Sequence, residues 1–305
     1  MPVCIWCRSE HATFLFARRD RLGREMFSYW RCERCGLVHL EPRPAAEELP
    51  RFYTQEYECF QEEEGNWLLR WGQRRLWTAR VLALRRYFPR PGHVLDVGCA
   101  NGAFLEIMQE QGWRVSGIEP YPPAAERART RLGHAAAIQS STLEEADLAG
   151  PYDLITLWDV LEHLPDPVAA LGRLAGALRA GGFLALGVPN LESWDARLFG
   201  PSWIGWDAPR HLYLFPDATL REMLAAMGFA LVASRCLYGG YGAFIVSLDS
   251  ALQERYGERP AGRRLRRLAA LRPGRYLLWP YFRLAEAAGR GPIRTYFCRR
   301  EQAGD

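Results

Sequence analysis

From His93 onward, short runs of apolar residues alternate with longer segments in which apolar residues recur every three or four positions. The runs at 93–97 and 152–158 have the length and apolar content of buried strands. The segments at 122–132 and 168–178 have the period of amphipathic helices. This alternation predicts an α/β fold with a parallel sheet, helices on both faces, and ligands bound at the carboxyl ends of the strands.

The N-terminal part of the chain has a different pattern. Helical spacing predicts one helix at 66–88, which Pro89 ends. We therefore divide the chain into an N-terminal segment (1–45), a helical connector (46–90) and a main domain (91–305). The other predicted elements are strands at 13–16, 26–31, 115–119, 136–139, 183–188, 229–237 and 293–299, helices at 102–111 and 216–227, and turns at 20–23 and 181–182.

Four of the eight cysteines form two close pairs in the N-terminal segment, Cys4 with Cys7 and Cys32 with Cys35. Two such pairs can supply four thiolates to one tetrahedral Zn²⁺, and two strands between them would form the hairpin of a zinc ribbon. Four protein ligands leave no open position for catalysis, so a structural zinc is expected. A thioredoxin-like redox pair would need a surrounding βαβ pattern, which is missing here.

Composition narrows the possible functions. All 39 basic residues are arginine, so no lysine can form a Schiff base or bind phosphate in a phosphate loop. The last 55 residues are strongly basic, whereas the rest of the chain is mildly acidic. No apolar stretch reaches the ~20 residues that cross a bilayer, and the N-terminus lacks the apolar run of a signal peptide. We therefore expect a cytoplasmic protein.

The loop after the first predicted strand of the main domain contains the sequence D-V-G-C-A-N-G, which begins at Asp96. It fails the dinucleotide-binding pattern, because Ala100 and Ala103 occupy glycine positions. An acidic residue at this place suits a ligand with a cation or hydroxyl groups. Glu119, at the end of the next strand, could accept hydrogen bonds from both hydroxyls of a ribose.

Together with L-I-T-L-W-D-V-L-E-H-L-P-D-P at 154–167, these motifs resemble the class I S-adenosylmethionine-dependent methyltransferases over about residues 93–229. The resemblance implies a Rossmann-like, seven-stranded sheet and S-adenosylmethionine as cofactor. Many relatives have a third glycine where this chain has Ala100. Thr142 lies where the family contacts adenine, although capping of a helix from Leu143 would explain it equally well. The cofactor-binding residues implied by the resemblance are Asp96, Gly98, Cys99, Gly102, Glu119, Pro120, Thr142, Leu143, Trp158 and Asp159.

Residues 190–216 are rich in aromatic side chains and form a segment too long for a plain connector, so we interpret them as a lid over the acceptor. His211 in this lid is our candidate general base, and His163 is a second catalytic candidate. Both have structural alternatives, since a histidine can simply hold the backbone by hydrogen bonds. Trp194, Trp203 and Trp206 would either form the wall of an acceptor pocket or cover the sheet.

The lid and the segment 36–44 resemble a bacterial branch of these methyltransferases that carries a four-cysteine ribbon. That resemblance implies O-methylation of a sugar, glycan or natural product. One alternative is an RNA-modifying methyltransferase, in which the zinc ribbon and the arginine-rich insertion would bind the phosphate backbone. Another is a non-catalytic binding protein. An arginine-rich helical insertion at 243–291 precedes the last strand, and it could be a solvated surface, a site for membrane or lipid-linked substrate, or a nucleic-acid patch.

Overall fold

The computed structural model describes residues 3–20, 25–45, 47–52, 67–88, 90–237, 240–257 and 277–301. The chain forms two compact units. The sheet unit comprises Ala46–Gly187, Leu224–Ala233 and Tyr296–Asp305. The ribbon unit comprises Met1–Ala45, Val188–Met223 and Ser234–Thr295.

The strands of the structure are, in chain order, β1 (Ala12–Arg19), β2 (Met26–Cys32), β3 (Val38–Glu41), β4 (His93–Val97), β5 (Arg114–Ile118), β6 (Ala137–Gln139), β7 (Tyr152–Trp158), β8 (Leu178–Pro189), β9 (Tyr213–Leu214), β10 (Phe229–Arg235) and β11 (Ile293–Arg300). The α-helices are α1 (Trp67–Arg85), α2 (Ala103–Glu110), α3 (Pro122–Leu132), α4 (Pro167–Ala177), α5 (Trp194–Phe199), α6 (Asp217–Ala226), α7 (Gly240–Tyr256) and α8 (Trp279–Ala287).

A seven-stranded mixed sheet with strand order β10-β11-β8-β7-β4-β5-β6 confirms the predicted Rossmann-like class. β4 lies between β5 and β7 and is parallel to both. Val94, Leu95 and Val97 are buried, because helices cover both faces of a parallel sheet. The carboxyl ends of β4, β5 and β7 therefore meet at one edge, where the predicted ligand loops begin.

Most predicted elements are confirmed within a few residues, and two expectations were wrong. Gly181 and Gly182 do not form a turn between a helix and a strand, because β8 begins at Leu178, directly after α4. No helix begins at Leu143, since residues 143–145 form a turn. The helical capping suggested for Thr142 is therefore excluded. The predicted insertion contains α7 and α8, and its part at 258–276 lies outside the described residues, as do residues 21–23 of the turn predicted at 20–23.

The ribbon unit contains a second sheet of four strands, in the order β1-β2-β3-β9, with every described pairing antiparallel. The two-residue strand β9, from the predicted lid, pairs with β3. The ring of Tyr29 on β2 packs against Phe16 and Trp206, and its hydroxyl donates a hydrogen bond to the backbone carbonyl of Trp206. Segments far apart in sequence thus share one aromatic core.

Among the described residues, no helix has both the length and the apolar character needed to cross a membrane.

Candidate active site

The loop after β4 turns back onto the carboxyl end of β5. The N–H groups of Gly98 and Cys99 donate hydrogen bonds to the carbonyl of Ile118, at 2.8 and 3.1 Å. Gly98 has a left-handed backbone (φ 70°), and a Cβ there would lie 2.6 Å from a methyl group of Val160. Ala100 also adopts the left-handed conformation (φ 47°). Ala100 thus has a conformation that a glycine adopts at a lower conformational cost.

The carboxyl group of Asp96 is buried at the end of β4. Thr156 on β7, its cross-strand neighbour, donates a 2.6 Å hydrogen bond to Oδ1. Burial raises the pKa of the Asp96 carboxyl to about 7, and the hydrogen bond from Thr156 only partly offsets this. Asp96 is thus close to half-protonated at neutral pH, and a bound cation would favour its ionised form.

Glu119 joins the loops that follow β4 and β5. Its Oε2 accepts a hydrogen bond from the N–H of Ala100, and its Oε1 accepts one from the N–H of Tyr121, both at 2.9 Å. Burial raises the pKa of this carboxyl, and the two backbone hydrogen bonds oppose that shift. Each carboxylate oxygen can accept a further hydrogen bond, so Glu119 can still bind ribose hydroxyls. Pro120 follows it and is exposed.

Two other implied residues, Cys99 and Gly102, contribute backbone geometry to the loop after β4. The Cys99 side chain is buried, and a Cβ on Gly117 of β5 would lie 2.6 Å from its sulfur. Burial raises the pKa of the Cys99 thiol well above its usual value, so it is a poor nucleophile. Gly102 has a left-handed backbone (φ 77°) and immediately precedes α2.

Sequence reasoning missed Arg80, which α1 places at the end of β7. Its guanidinium carbon lies 4.5 Å from the ring centre of Trp77 and 4.8 Å from that of Trp158. Its Nη2 lies 3.4 Å from Oδ2 of Asp159, which has a left-handed backbone (φ 59°). Within the described parts of the chain, this contact engages one of the five N–H groups of Arg80. The only sequence signal was the three-residue spacing of Trp77 and Arg80 on one helix.

The loop after β6 lies beside α4, because Arg173 donates a 2.8 Å hydrogen bond to the carbonyl of Leu143. Leu143 is buried and Thr142 is exposed. Among the described residues, two buried polar atoms in these loops have no hydrogen-bond partner, namely Ser141 Oγ and Trp158 Nε1. Buried polar atoms are usually paired, so both atoms suit a site that holds a polar ligand such as S-adenosylmethionine.

The two predicted catalytic histidines belong to different units. His163, in the sheet unit, ends a 3₁₀ turn at Leu161–His163, and its N–H donates to the carbonyl of Val160. His211, in the ribbon unit, is mostly buried, and its Nδ1 lies 2.7 Å from the carbonyl oxygen of Gly205. A carbonyl only accepts hydrogen bonds, so Nδ1 carries the proton. In the neutral ring the lone pair is therefore on Nε2, which lies 3.9 Å from Oδ2 of Asp207.

The residues next to His211 are buried and closely packed. Arg210 donates hydrogen bonds of 2.9 and 2.7 Å to the two carboxylate oxygens of Asp207, and both side chains are buried. A Cβ on Gly205 would lie 2.2 Å from the ring of Trp203, so only glycine fits beneath that ring. The pocket-wall interpretation was wrong for Trp203 and Trp206, which are core residues of the ribbon unit. Trp194 is half-buried and contacts the ring of Tyr281 on α8.

The four paired cysteines lie together in the ribbon unit, with all four sulfurs within 4.8 Å of one another. The sulfurs of Cys4 and Cys35 are 3.6 Å apart, and those of Cys7 and Cys32 are 3.4 Å apart. A tetrahedral site with Zn–S bonds of about 2.3 Å places its sulfurs about 3.8 Å apart, so this group fits zinc. A disulfide would need sulfurs about 2.05 Å apart, and all four cysteines are free thiols.

Comparison with known proteins agrees with this geometry. Residues 69–234 match the family described as "Methyltransferase domain". The chain is 34% identical to ubiquinone biosynthesis O-methyltransferases of Vibrio parahaemolyticus and Xanthomonas axonopodis, over 41% and 46% of its length. It spans 54% and 62% of those relatives. The solved structure of magnesium protoporphyrin IX methyltransferase from Synechocystis, with bound SAH, has the same fold, with 16% identity, a TM-score of 0.51, and coverage of 80% of this chain and 91% of that one.

Proposed function

The chain belongs to the family of class I S-adenosylmethionine-dependent methyltransferases, and on that premise we propose that it methylates a hydroxyl oxygen of a small molecule. The observation that carries the choice of oxygen is the hydrogen bond from His211 Nδ1 to the Gly205 carbonyl, because it leaves Nε2 able to take a proton. The names of the curated relatives, which are O-methyltransferases, support the same choice.

The cofactor supplies a methyl group on a positively charged sulfur, which an attacking oxygen displaces in line. Glu119 would bind the ribose hydroxyls, and Asp96 would stabilise positive charge on the methionine part. Gly98, Gly102, Cys99 and the neighbouring Pro120 shape the loops by their backbone, and Trp158 and Asp159 would border the cofactor. His211 Nε2 would take the proton of the acceptor hydroxyl as that oxygen is methylated.

The acceptor we propose is a sugar, glycan or natural product of small size. The ribbon unit contributes to this function through its sulfur cluster, in which Cys4, Cys7, Cys32 and Cys35 hold a structural Zn²⁺. We propose a secondary role for His163, which orients the acceptor by a hydrogen bond.

The test begins with titration calorimetry of S-adenosylhomocysteine against the intact protein, where saturable binding is expected and no binding would refute the cofactor. Radiolabelled S-adenosylmethionine is then incubated with host extract, which is separated into nucleic-acid, lipid and small-molecule fractions. We expect label in a small-molecule fraction that is lost with Glu119→Ala. Label confined to nuclease-sensitive material would instead favour an RNA acceptor.

A further inference from the structure

The loop after β6, residues 140–147, lies at the edge of the seven-stranded sheet. β6 has three residues and is the last strand in the sheet order, so among the described residues β5 is the strand that pairs with it. A loop that follows an edge strand has no second strand beside it and depends on side chains for a fixed position. Under the proposed function, this loop borders the adenine of the cofactor through Thr142 and Leu143.

Gln139, the last residue of β6, closes the base of this loop. Its Nε2 donates a 2.7 Å hydrogen bond to the carbonyl of Asp147, and its Oε1 accepts a 2.9 Å hydrogen bond from the Asp147 N–H. Within the loop, the N–H of Ala146 donates a 3.0 Å hydrogen bond to the carbonyl of Thr142. The loop is thus closed at its base and contains one helical turn, whose remaining carbonyls need donors from elsewhere.

Arg173 on α4 supplies those donors. Its Nη1 donates hydrogen bonds to the carbonyls of Leu143 and Glu144, the first of them at 2.8 Å. Its Nη2 donates a 2.9 Å hydrogen bond to the carbonyl of Ala146. The N–H groups of a guanidinium lie in one plane, so three hydrogen bonds from the same group fix both the position and the tilt of the turn.

Helix α4 is a firm base for Arg173. The neighbouring Leu171 and Leu174 are fully buried. In the first turn, the carboxylate of Asp166 accepts a 2.8 Å hydrogen bond from the N–H of Ala169, which caps the helix. Arg173 itself is exposed, so its substitution removes the three hydrogen bonds without opening a cavity in the core.

We propose that Arg173 is a positioning residue for the nucleobase end of the cofactor site, which orders the loop before the cofactor binds and so determines affinity and selectivity for adenine. Without this anchor, cofactor binding itself would have to order the loop, and the conformational entropy lost would weaken binding. The inference rests on the proposed function, because adenine reaches this loop only if the chain binds S-adenosylmethionine.

The test is titration calorimetry of the full chain with S-adenosylhomocysteine and with S-inosylhomocysteine, which carries hypoxanthine in place of adenine. We expect Arg173→Gln to weaken S-adenosylhomocysteine binding by about tenfold. It should also reduce the preference for S-adenosylhomocysteine over S-inosylhomocysteine, because a loop that is not held in place distinguishes the two bases less well. In the ligand-free protein, backbone amides at 140–147 should exchange hydrogen faster in this variant than in the unaltered chain.

Arg300→Gln is the matched control. Nη1 of Arg300 donates a hydrogen bond to the carbonyl of Leu178, which lies at the amino end of β8 and therefore away from the ligand loops. This variant loses the same kind of contact and should keep the affinity and the base preference of the unaltered chain. Arg173→Lys retains the positive charge without the planar group, so its affinity should lie between those of Arg173→Gln and the unaltered chain.

Three results would overturn the proposal. Equal loss of affinity in Arg173→Gln and Arg300→Gln would show that losing either contact simply destabilises the sheet unit. An Arg173→Gln variant with unchanged affinity and unchanged base preference would refute the positioning role and leave the proposed function intact. Failure of the unaltered chain to bind S-adenosylhomocysteine would refute the proposed function and this inference together. Circular dichroism of each variant verifies that it folds.

Discussion

Asp96→Asn should stabilise the ligand-free protein at neutral pH, although the residue lies in the cofactor site. The carboxyl has a pKa of about 7 in the folded chain, against 3.8 for an ordinary aspartate. Between these values the unfolded state has lost the proton and the folded state keeps it. Stability therefore falls with rising pH by about 1.4 kcal/mol per unit, and the ionisation costs roughly 4 kcal/mol at pH 7 and above. Asparagine removes this cost and can still accept the hydrogen bond from Thr156.

Urea denaturation of both proteins from pH 4 to pH 8 measures the difference directly. The free energies of unfolding of the two proteins should be similar at pH 4. As pH rises, Asp96→Asn should become the more stable protein, and above pH 7 the difference in free energy should stay constant. The same variant should bind S-adenosylmethionine more weakly, because it cannot become negatively charged. A difference that does not change with pH would refute the reasoning. A variant destabilised at neutral pH would show that attraction to Arg80 outweighs burial.

Arg80→Gln should weaken binding of S-adenosylhomocysteine by about tenfold but leave 5′-methylthioadenosine unaffected, because only the former has a carboxylate for an arginine to bind. Equal losses in calorimetry would mean that Arg80 acts only through the fold. Metal analysis should give one zinc per chain, and Cys4→Ser should lower both this content and Tm, whereas a content well below one zinc per chain that Cys4→Ser leaves unchanged would exclude a zinc site. His211→Ala should reduce kcat by about 10²- to 10⁴-fold while S-adenosylhomocysteine affinity is retained. If His163→Ala reduces kcat to this extent and His211→Ala does not, His211 is not the general base.

The features that the sequence predicted correctly are those that depend on the local hydrophobic pattern or on residues within one loop. The apolar run of β4, the acidic residues at the ends of β4 and β5, and the spacing of the cysteine pairs each depend on residues close together in the chain. The boundary at Leu178 was missed because the chain passes from α4 into β8 with no breaker at the junction. The two glycines that seemed to mark a turn lie inside the strand.

Contacts between distant segments could not be predicted in this way. The role of Arg80 depends on α1 lying against the end of β7, 78 residues further along the chain, and no period or motif encodes that placement. The aromatic composition of segment 190–216 suits the wall of a ligand pocket and a hydrophobic core equally well. Its two-residue strand is too short for a pattern to reveal, and only its pairing with β3 shows that the tryptophans belong to a core.

The pairing of β3 with β9 also connects the four paired cysteines to the predicted general base. Cys35, a zinc-ligand candidate, accepts a hydrogen bond at its carbonyl from Thr219 of α6, and β3 follows it within three residues. β3 pairs with β9, which begins two residues after His211. The hydrogen bond that fixes the His211 tautomer thus lies in the ribbon unit, as do the four sulfurs. A zinc ion bound by the four sulfurs would keep the predicted base oriented by keeping β3 and β9 in register.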